Sequence, residues 1–195
     1  MTTNYRIERD LFHALTMSQV FEDYVRSDQL YGYAAGLFSN MPSMTIGSLV
    51  MRLRRIDTLR MHMPDSKKKK LDDALDKYLQ VRTDWLYHFE NKIKQEAHSR
   101  VDAMKGFFYE CSDNIRNCIG IYKPEMMRRT IVQELVREME ILNIRDGELV
   151  AKITETDDKL RRVTEKADFQ WADILIPAYD EKEFWWLYNS PPNLP

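Results

Sequence analysis

The sequence predicts an all-α protein built on one long antiparallel helical hairpin. Apolar side chains recur at steps of three and four residues over 71–118 and again over 125–167, and this spacing is typical of one face of a helix. Glycine and proline are scarce, with six and seven among 195 residues. No stretch alternates apolar and polar residues as a half-buried strand would. These observations favour a helical bundle with coiled-coil-like packing.

A turn signal separates the two long segments. Gly120 suits the left-handed residue that ends a helix, and Pro124 suits the first turn of the next helix. Segments 71–118 and 125–167 span 48 and 43 residues. Folded back about Gly120, they match almost end to end and form the two arms of a hairpin.

Both arms weaken at the same level. In residues 90–100 only Ile93 and Ala97 are apolar, so this stretch is expected to bury little. Antiparallel pairing sets it opposite the interruption at 143–147. We therefore expect a kink or hinge there, and the alternative to a straight hairpin is one that bends at this level and packs on itself.

The rest of the chain divides into shorter parts of one all-α domain, residues 1–195. Within residues 5–63 the sequence predicts three N-terminal helices, over 5–26, 28–39 and about 43–63. The hairpin occupies 66–167. Residues 168–195 hold three of the four tryptophans. Because the segment follows the second arm, it is expected beside Leu71, where its aromatic residues form either a clamp on the N-terminal helices or an exposed docking surface.

The distal half of the hairpin, residues 101–142, carries more large apolar side chains than two helices can bury against each other. Pairing of two distal hairpins in an isologous homodimer would cover this surplus. The predicted dimer interface comprises Met104, Phe107, Phe108, Ile115, Met127, Ile131 and Leu135.

A run of basic residues over 52–70 is the strongest charge feature in a chain whose net charge is −2. Clustered cations can bind phosphates and release counterions, so nucleic acid or another polyanion is a candidate partner. A solvated helix face is the alternative interpretation, since no aromatic residue interleaves the run. The candidate residues are Arg52, Arg54, Arg55, Arg60, Lys67, Lys68, Lys69 and Lys70.

Metal binding has weaker support from the sequence. Bundle carboxylate sites use Glu-x-x-His pairs, and no such pair occurs. The nearest arrangements are Asp10 with His13 and Asp84 with His88. They predict at most a metal or small-ligand site formed by these four residues.

Catalysis has no sequence motif in its favour, and no cofactor is expected. Cys111 and Cys118 fall on one predicted helical face about 10 Å apart at about 1.5 Å per residue, which is too far for a disulfide. They indicate core thiols in a reducing compartment. With no apolar signal segment at the N-terminus and no long apolar run, we expect a cytoplasmic protein without membrane spans.

The sequence therefore favours a non-catalytic interaction or scaffold protein that forms a homodimer through residues 101–142, with a protein partner also possible. Polyanion binding through Arg52–Lys70 is the first alternative. A bundle that holds a metal or small ligand is the second.

Overall fold

The computed structural model describes residues 5–34, 41–113 and 115–192, and it describes the side chains of all of these except 112, 113 and 115–117. It confirms the all-α class and the long antiparallel helical hairpin, which α5 and α6 form. The elements are α1 (Ile7–Gln19), α2 (Phe21–Arg26), α3 (Ile46–Thr58), α4 (Asp65–Asp84), α5 (Leu86–Asp113), α6 (Ile115–Ile141), α7 (Gly147–Arg162), β1 (Glu165–Lys166) and β2 (Asn189–Ser190), with 3-10 helices at Arg60–His62, Asp173–Ala178 and Trp185–Tyr188.

The chain forms two compact units whose boundary lies within α5. The N-terminal unit ends at Glu96 and the C-terminal unit begins at Ala97. The prediction of one domain over 1–195 stays a prediction.

The core of the N-terminal unit lies where α1, α3 and α4 pack together. At its centre three aromatic rings meet: the Phe21 centroid lies 5.5 Å from Tyr78 and 6.4 Å from Phe89. All three side chains are buried. Tyr78 of α4 and Phe89 of α5 both contact Phe21 of α2, so burial of this cluster holds the first arm against the N-terminal helices.

The N-terminal helices are shorter than predicted. The helix expected over 5–26 breaks at Val20, which leaves helical geometry. The helix expected over 28–39 is wrong for residues 28–34, because Gly32 forms an isolated antiparallel bridge with Met44 there; residues 35–40 lie outside the described part of the chain. A β-carbon on Gly32 would lie 3.0 Å from the Tyr24 ring, so a larger residue here would require that ring to shift.

The first arm bends earlier than predicted. The break lies at Trp85, between α4 and α5, and α5 runs through 90–100 without interruption. The expectation that 90–100 buries little is also wrong, since Lys92 and Glu96 are buried beside Ile93 and Ala97. Glu96 accepts a hydrogen bond of 3.1 Å from the Gly47 amide at the start of α3, and the Lys92 ammonium donates to the carbonyls of Ser27 and Gln29 at 2.7 and 2.8 Å. These partners replace the water that each charge loses.

The hairpin turn also lies earlier than predicted. Helix α5 ends at Asp113 and α6 begins at Ile115, so Pro124 lies inside α6. Among the described residues no glycine has a positive φ, and the predicted left-handed Gly120 is therefore wrong. Tyr122 lies with its ring centroid 6.2 Å from that of Phe107. Burial of Tyr122 in the hairpin outweighs the local turn preference of Gly120.

The early turn changes the state of the cysteines. Cys111 and Cys118 lie on opposite sides of the turn with their Cα atoms 5.1 Å apart, and they form a disulfide. The predicted core thiols on one continuous helix are therefore wrong. The distance calculated from the sequence assumed a helix that in fact ends between the two residues.

A second reversal ends the straight second arm. Asn143 has φ of 56°, and the Ile144 amide donates back to the Met139 carbonyl at 2.8 Å, which is a left-handed helix end. Helix α7 then returns antiparallel along α6, where the Arg129 guanidinium donates to both Asp157 oxygens at 2.7 and 3.0 Å. The predicted interruption at 143–147 is confirmed, whereas continuation of one arm to 167 is not.

The aromatic C-terminal segment packs on α6. The Tyr122 hydroxyl donates to the Trp186 carbonyl at 2.8 Å, and the Trp186 indole donates to the Thr130 hydroxyl at 3.0 Å. Burial raises the pKa of Tyr122, so the hydroxyl stays protonated and donates. Strands β1 and β2 pair antiparallel and close the segment. The expectation that residues 168–195 lie beside Leu71 assumed a straight second arm. The chain instead reverses direction at Asn143, so the reason for that expectation no longer holds.

Candidate functional site

An apolar cleft of about 490 Å³ opens between α6 and α7 in the C-terminal unit. Val150 stands at its edge with 63% of its surface exposed. Met139 and Leu149 are buried at its base. The apolar side chains that line the cleft are Val136, Met139, Ile144, Leu149, Val150 and Ile153. A cleft of this size and lining is a common form of binding site.

A polar contact joins the two walls of the cleft at one end, and another caps the α7 wall at the other end. At one end is the ion pair of Arg129 with Asp157, both of them buried. At the other end Asp146 caps α7 by accepting from the Leu149 amide at 2.9 Å. A fixed separation of the walls lowers the conformational entropy that binding would remove.

Two oppositely charged residues line the cleft at the end near the Asn143 reversal. Glu140 and Arg145 are both exposed and both border the cavity. Neither forms an ion pair within the described part of the chain. Their charges are therefore available to a partner, and a partner that brings matching charges would gain specificity from them.

A polar cluster joins α5 to the start of α7. His98 Nε2 lies 2.9 Å from Asp146 Oδ2, and His98 Nδ1 lies 3.3 Å from the Lys152 ammonium. A neutral His98 that donates from Nε2 and accepts at Nδ1 satisfies both contacts. The hydrogen bond that Lys152 donates to Glu148 raises the pKa of Lys152. The cluster orients the α7 wall.

The predicted polyanion residues divide into paired and unpaired groups. Arg52 and Arg55 are buried and share Asp10, with nitrogen to oxygen distances of 3.3 and 3.1 Å. Lys69 and Lys70 are exposed. The remaining members are partly exposed: Arg60 pairs with Asp57 and Asp72, Lys67 with Glu8 and Lys68 with Asp65, and Arg54 has other contacts. The structure therefore does not bring the run together as one open face.

Most of the predicted dimer residues face the interior of the chain. Met104, Phe107, Ile131 and Leu135 are buried, whereas Phe108 and Met127 are partly exposed. The side chain of Ile115 lies outside the described residues. The aromatic C-terminal segment, with Trp186 at its centre, packs on α6 and so takes up apolar surface for which a dimer was expected.

The four predicted metal ligands do not form a site. Asp10 accepts from the Tyr5 hydroxyl at 2.7 Å as well as from Arg55. His88 is exposed, with its ring against Trp85 and Tyr87. In the described ranges no group of three or more His, Cys, Asp or Glu side chains could hold a metal ion.

Sequence reasoning missed the cleft because periodicity alone gives no direction to α7. The segment Asn143–Gly147 was identified as a break, but a kink and a full reversal have the same apolar stripe on either side. The available signal was Asn143 itself, since asparagine is among the few residues that tolerate a left-handed helix end.

Comparisons with family models, with curated proteins and with solved structures find no match to this chain. Among the described helices, none is both long and apolar enough to cross a membrane. The functional conclusion therefore rests on the geometry of the cleft.

Proposed function

We propose that this chain is a non-catalytic interaction module that binds a partner protein through the cleft between α6 and α7. The observation that carries the proposal is the exposed Val150 at the edge of an apolar cavity of about 490 Å³. Contiguous apolar surface with a polar rim is typical of protein interaction sites.

The chemistry of the cleft suits a protein segment better than a small polar molecule. Its base is apolar, at Met139 and Leu149, and its rim is charged, at Glu140 and Arg145. A helical partner whose apolar face covers the groove between α6 and α7 matches this distribution. The expected interface differs from the one predicted from the sequence, because it uses the outer face of α6 together with α7.

Site-specific photocrosslinking tests the proposal. A photoreactive phenylalanine analogue replaces Val150 in the full chain, which is expressed in cells of its source organism. Ala151 provides the matched control position, because it is the exposed neighbour on the same helix and does not line the cleft. We expect a discrete crosslinked protein species from position 150 and none from position 151.

Two outcomes would contradict the proposal. One is the absence of any crosslinked protein from position 150 when the variant is folded and illuminated. The other is the same set of products from positions 150 and 151, which would show that the crosslinks do not depend on the cleft.

A further inference from the structure

We infer that the occupant of the α6–α7 cleft is the α6–α7 pair of a second copy of this chain. The inference rests on the proposed function and names its partner. Two such helix pairs would face each other around a two-fold axis parallel to the helices and form a four-helix bundle. Each copy would use the same surface, which is the definition of an isologous interface.

The antiparallel pairing of α6 and α7 fixes which residues would meet. The Arg129–Asp157 ion pair sets these two residues at one level. Two helical turns further along each helix, Val136 and Val150 again share a level, since a turn contains about 3.6 residues. Both line the cleft. In the two-fold arrangement α6 lies opposite α7 of the second copy, so Val136 meets Val150 twice in each dimer.

The rim charges follow the same symmetry. Glu140 is one turn beyond Val136, and Arg145 lies at the corresponding end of the cleft just before α7. The same rotation therefore places Glu140 of each copy opposite Arg145 of the other. A rim with one charge of each sign on the two walls is complementary to itself. A partner of a single charge would attract one wall and repel the other.

The second copy also matches the cleft in apolar content. Val150 is 63% exposed and Ile144 and Ile153 are partly exposed, so each copy offers an apolar ridge beside its own apolar cavity. Ridges packed into the grooves of a facing helix pair are the usual contact in four-helix bundles. The same surface thus contributes both the apolar ridge and the groove that the ridge of the other copy fills.

Reversing the charges of Glu140 and Arg145 one at a time tests whether these residues face each other across the dimer. Full-length Glu140→Arg and Arg145→Glu chains are each purified, and their masses are measured by light scattering at about 100 μM, where micromolar dissociation constants are detected. We expect wild type to be a dimer. Each single variant places like charges opposite each other twice, so we expect its dissociation constant to rise by more than about tenfold. Both positions are exposed, and thermal unfolding verifies that the variants fold.

The mixture of the two single variants is the decisive sample. In their heterodimer one chain carries arginine at both rim positions and the other carries glutamate at both, so every facing pair has opposite charges. Equal parts of the two variants should therefore restore the dimer. The double variant Glu140→Arg with Arg145→Glu should dimerise with itself and not with wild type. Val150→Asp should dissociate the wild-type dimer, whereas the matched Ala151→Asp should not.

The outcomes separate this inference from the proposed function. A wild-type monomer whose position 150 crosslinks to a different protein overturns the second copy and leaves the interaction module standing. A monomer with no crosslink overturns both. A dimer that all charge variants leave unchanged, or that the mixture does not restore, places the contact on another surface and overturns the inference.

Discussion

The two units bury their charged residues against different kinds of partner. In the N-terminal unit, Asp10 of α1 lies between Arg52 and Arg55 of α3, and the centre of the Tyr5 ring lies 5.6 Å from the Arg55 guanidinium carbon. In the C-terminal unit, Arg129 pairs with Asp157 and also lies 4.0 Å above the centre of the Trp186 ring. Charge and aromatic surface act together there.

The difference shows what each unit depends on. Removal of Asp10 would leave two buried guanidinium groups without their carboxylate, and all three residues come from adjacent helices of the N-terminal unit. The C-terminal unit instead depends on Trp186, which lies 56 residues beyond Thr130, its hydrogen-bond partner. Its stability should therefore respond to changes in a segment that is largely not α-helical.

Trp186→Ala should cause the largest loss of stability among these variants. The side chain is 1% exposed, and truncation of a buried tryptophan lowers the free energy of unfolding by about 3–5 kcal/mol. Urea unfolding gives the magnitude, and hydrogen exchange should show the loss in α6 while α3 stays protected. Trp185→Ala is the control, because that neighbour is only partly buried. Equal losses for the two variants would contradict the assigned role of Trp186.

Asp10→Asn should have the next largest effect, and in the other unit. The neutral amide cannot balance Arg52 and Arg55, and loss of hydrogen bonds to charged groups lowers stability by about 1.5–3 kcal/mol. Hydrogen exchange should rise in α1 and α3. The exposed Asp57→Asn variant should change the free energy of unfolding by less than about 0.5 kcal/mol. A stable Asp10→Asn chain would show that the arginines find other partners.

Asn143→Ala should have a smaller effect, at the reversal that joins the two walls of the cleft. A left-handed conformation costs an alanine about 1–2 kcal/mol, and φ at this position is 56°. Asn143→Gly should retain wild-type stability, since glycine accepts this geometry. Thermal unfolding of the pair measures the difference. If the two variants are equally stable, the reversal does not depend on the left-handed residue.

Protonation of His13 should have the smallest effect. Burial lowers its pKa from the usual 6.5, and the positive charge of Arg52 lowers it further. Just below pH 6.5 the unfolded chain therefore binds more protons than the folded chain, and the free energy of unfolding falls as the pH decreases through this window. Urea midpoints from about pH 7.5 to 5 should show this slope. His13→Gln should reduce this slope, and an unchanged slope in that variant would contradict the assignment to His13.

The helical class was predictable because apolar spacing is a local property of the sequence. The spacing at Leu71, Leu75 and Tyr78 predicts a helix without any knowledge of the residues that pack against it. The ends of helices were less predictable. Gly120 and Pro124 carry strong turn preferences, yet the burial of Tyr122 keeps both inside α6, since tertiary packing routinely outweighs local propensity.

The site was harder to predict than the fold, because the sequence shows charges without their partners. Arg52 and Arg55 look like part of an open basic run until Asp10, more than forty residues away, is placed between them. Glu140 and Arg145 attract no notice in the sequence, since their significance comes from the reversal at Asn143 that sets them along one cleft. Pairing between residues far apart in the sequence decides which charged side chains form ion pairs within the chain and which can interact with a partner.

The hydrogen bond from Tyr122 to the Trp186 carbonyl has a consequence for how the protein is made. The two residues are 64 positions apart. At a synthesis rate of about 5–20 residues per second, Trp186 is added about 3–13 s after Tyr122. During that interval the apolar surface of α6 that the C-terminal aromatic segment later buries is still exposed. Ribosome-associated chaperones should bind the chain at this stage and leave once the aromatic segment arrives.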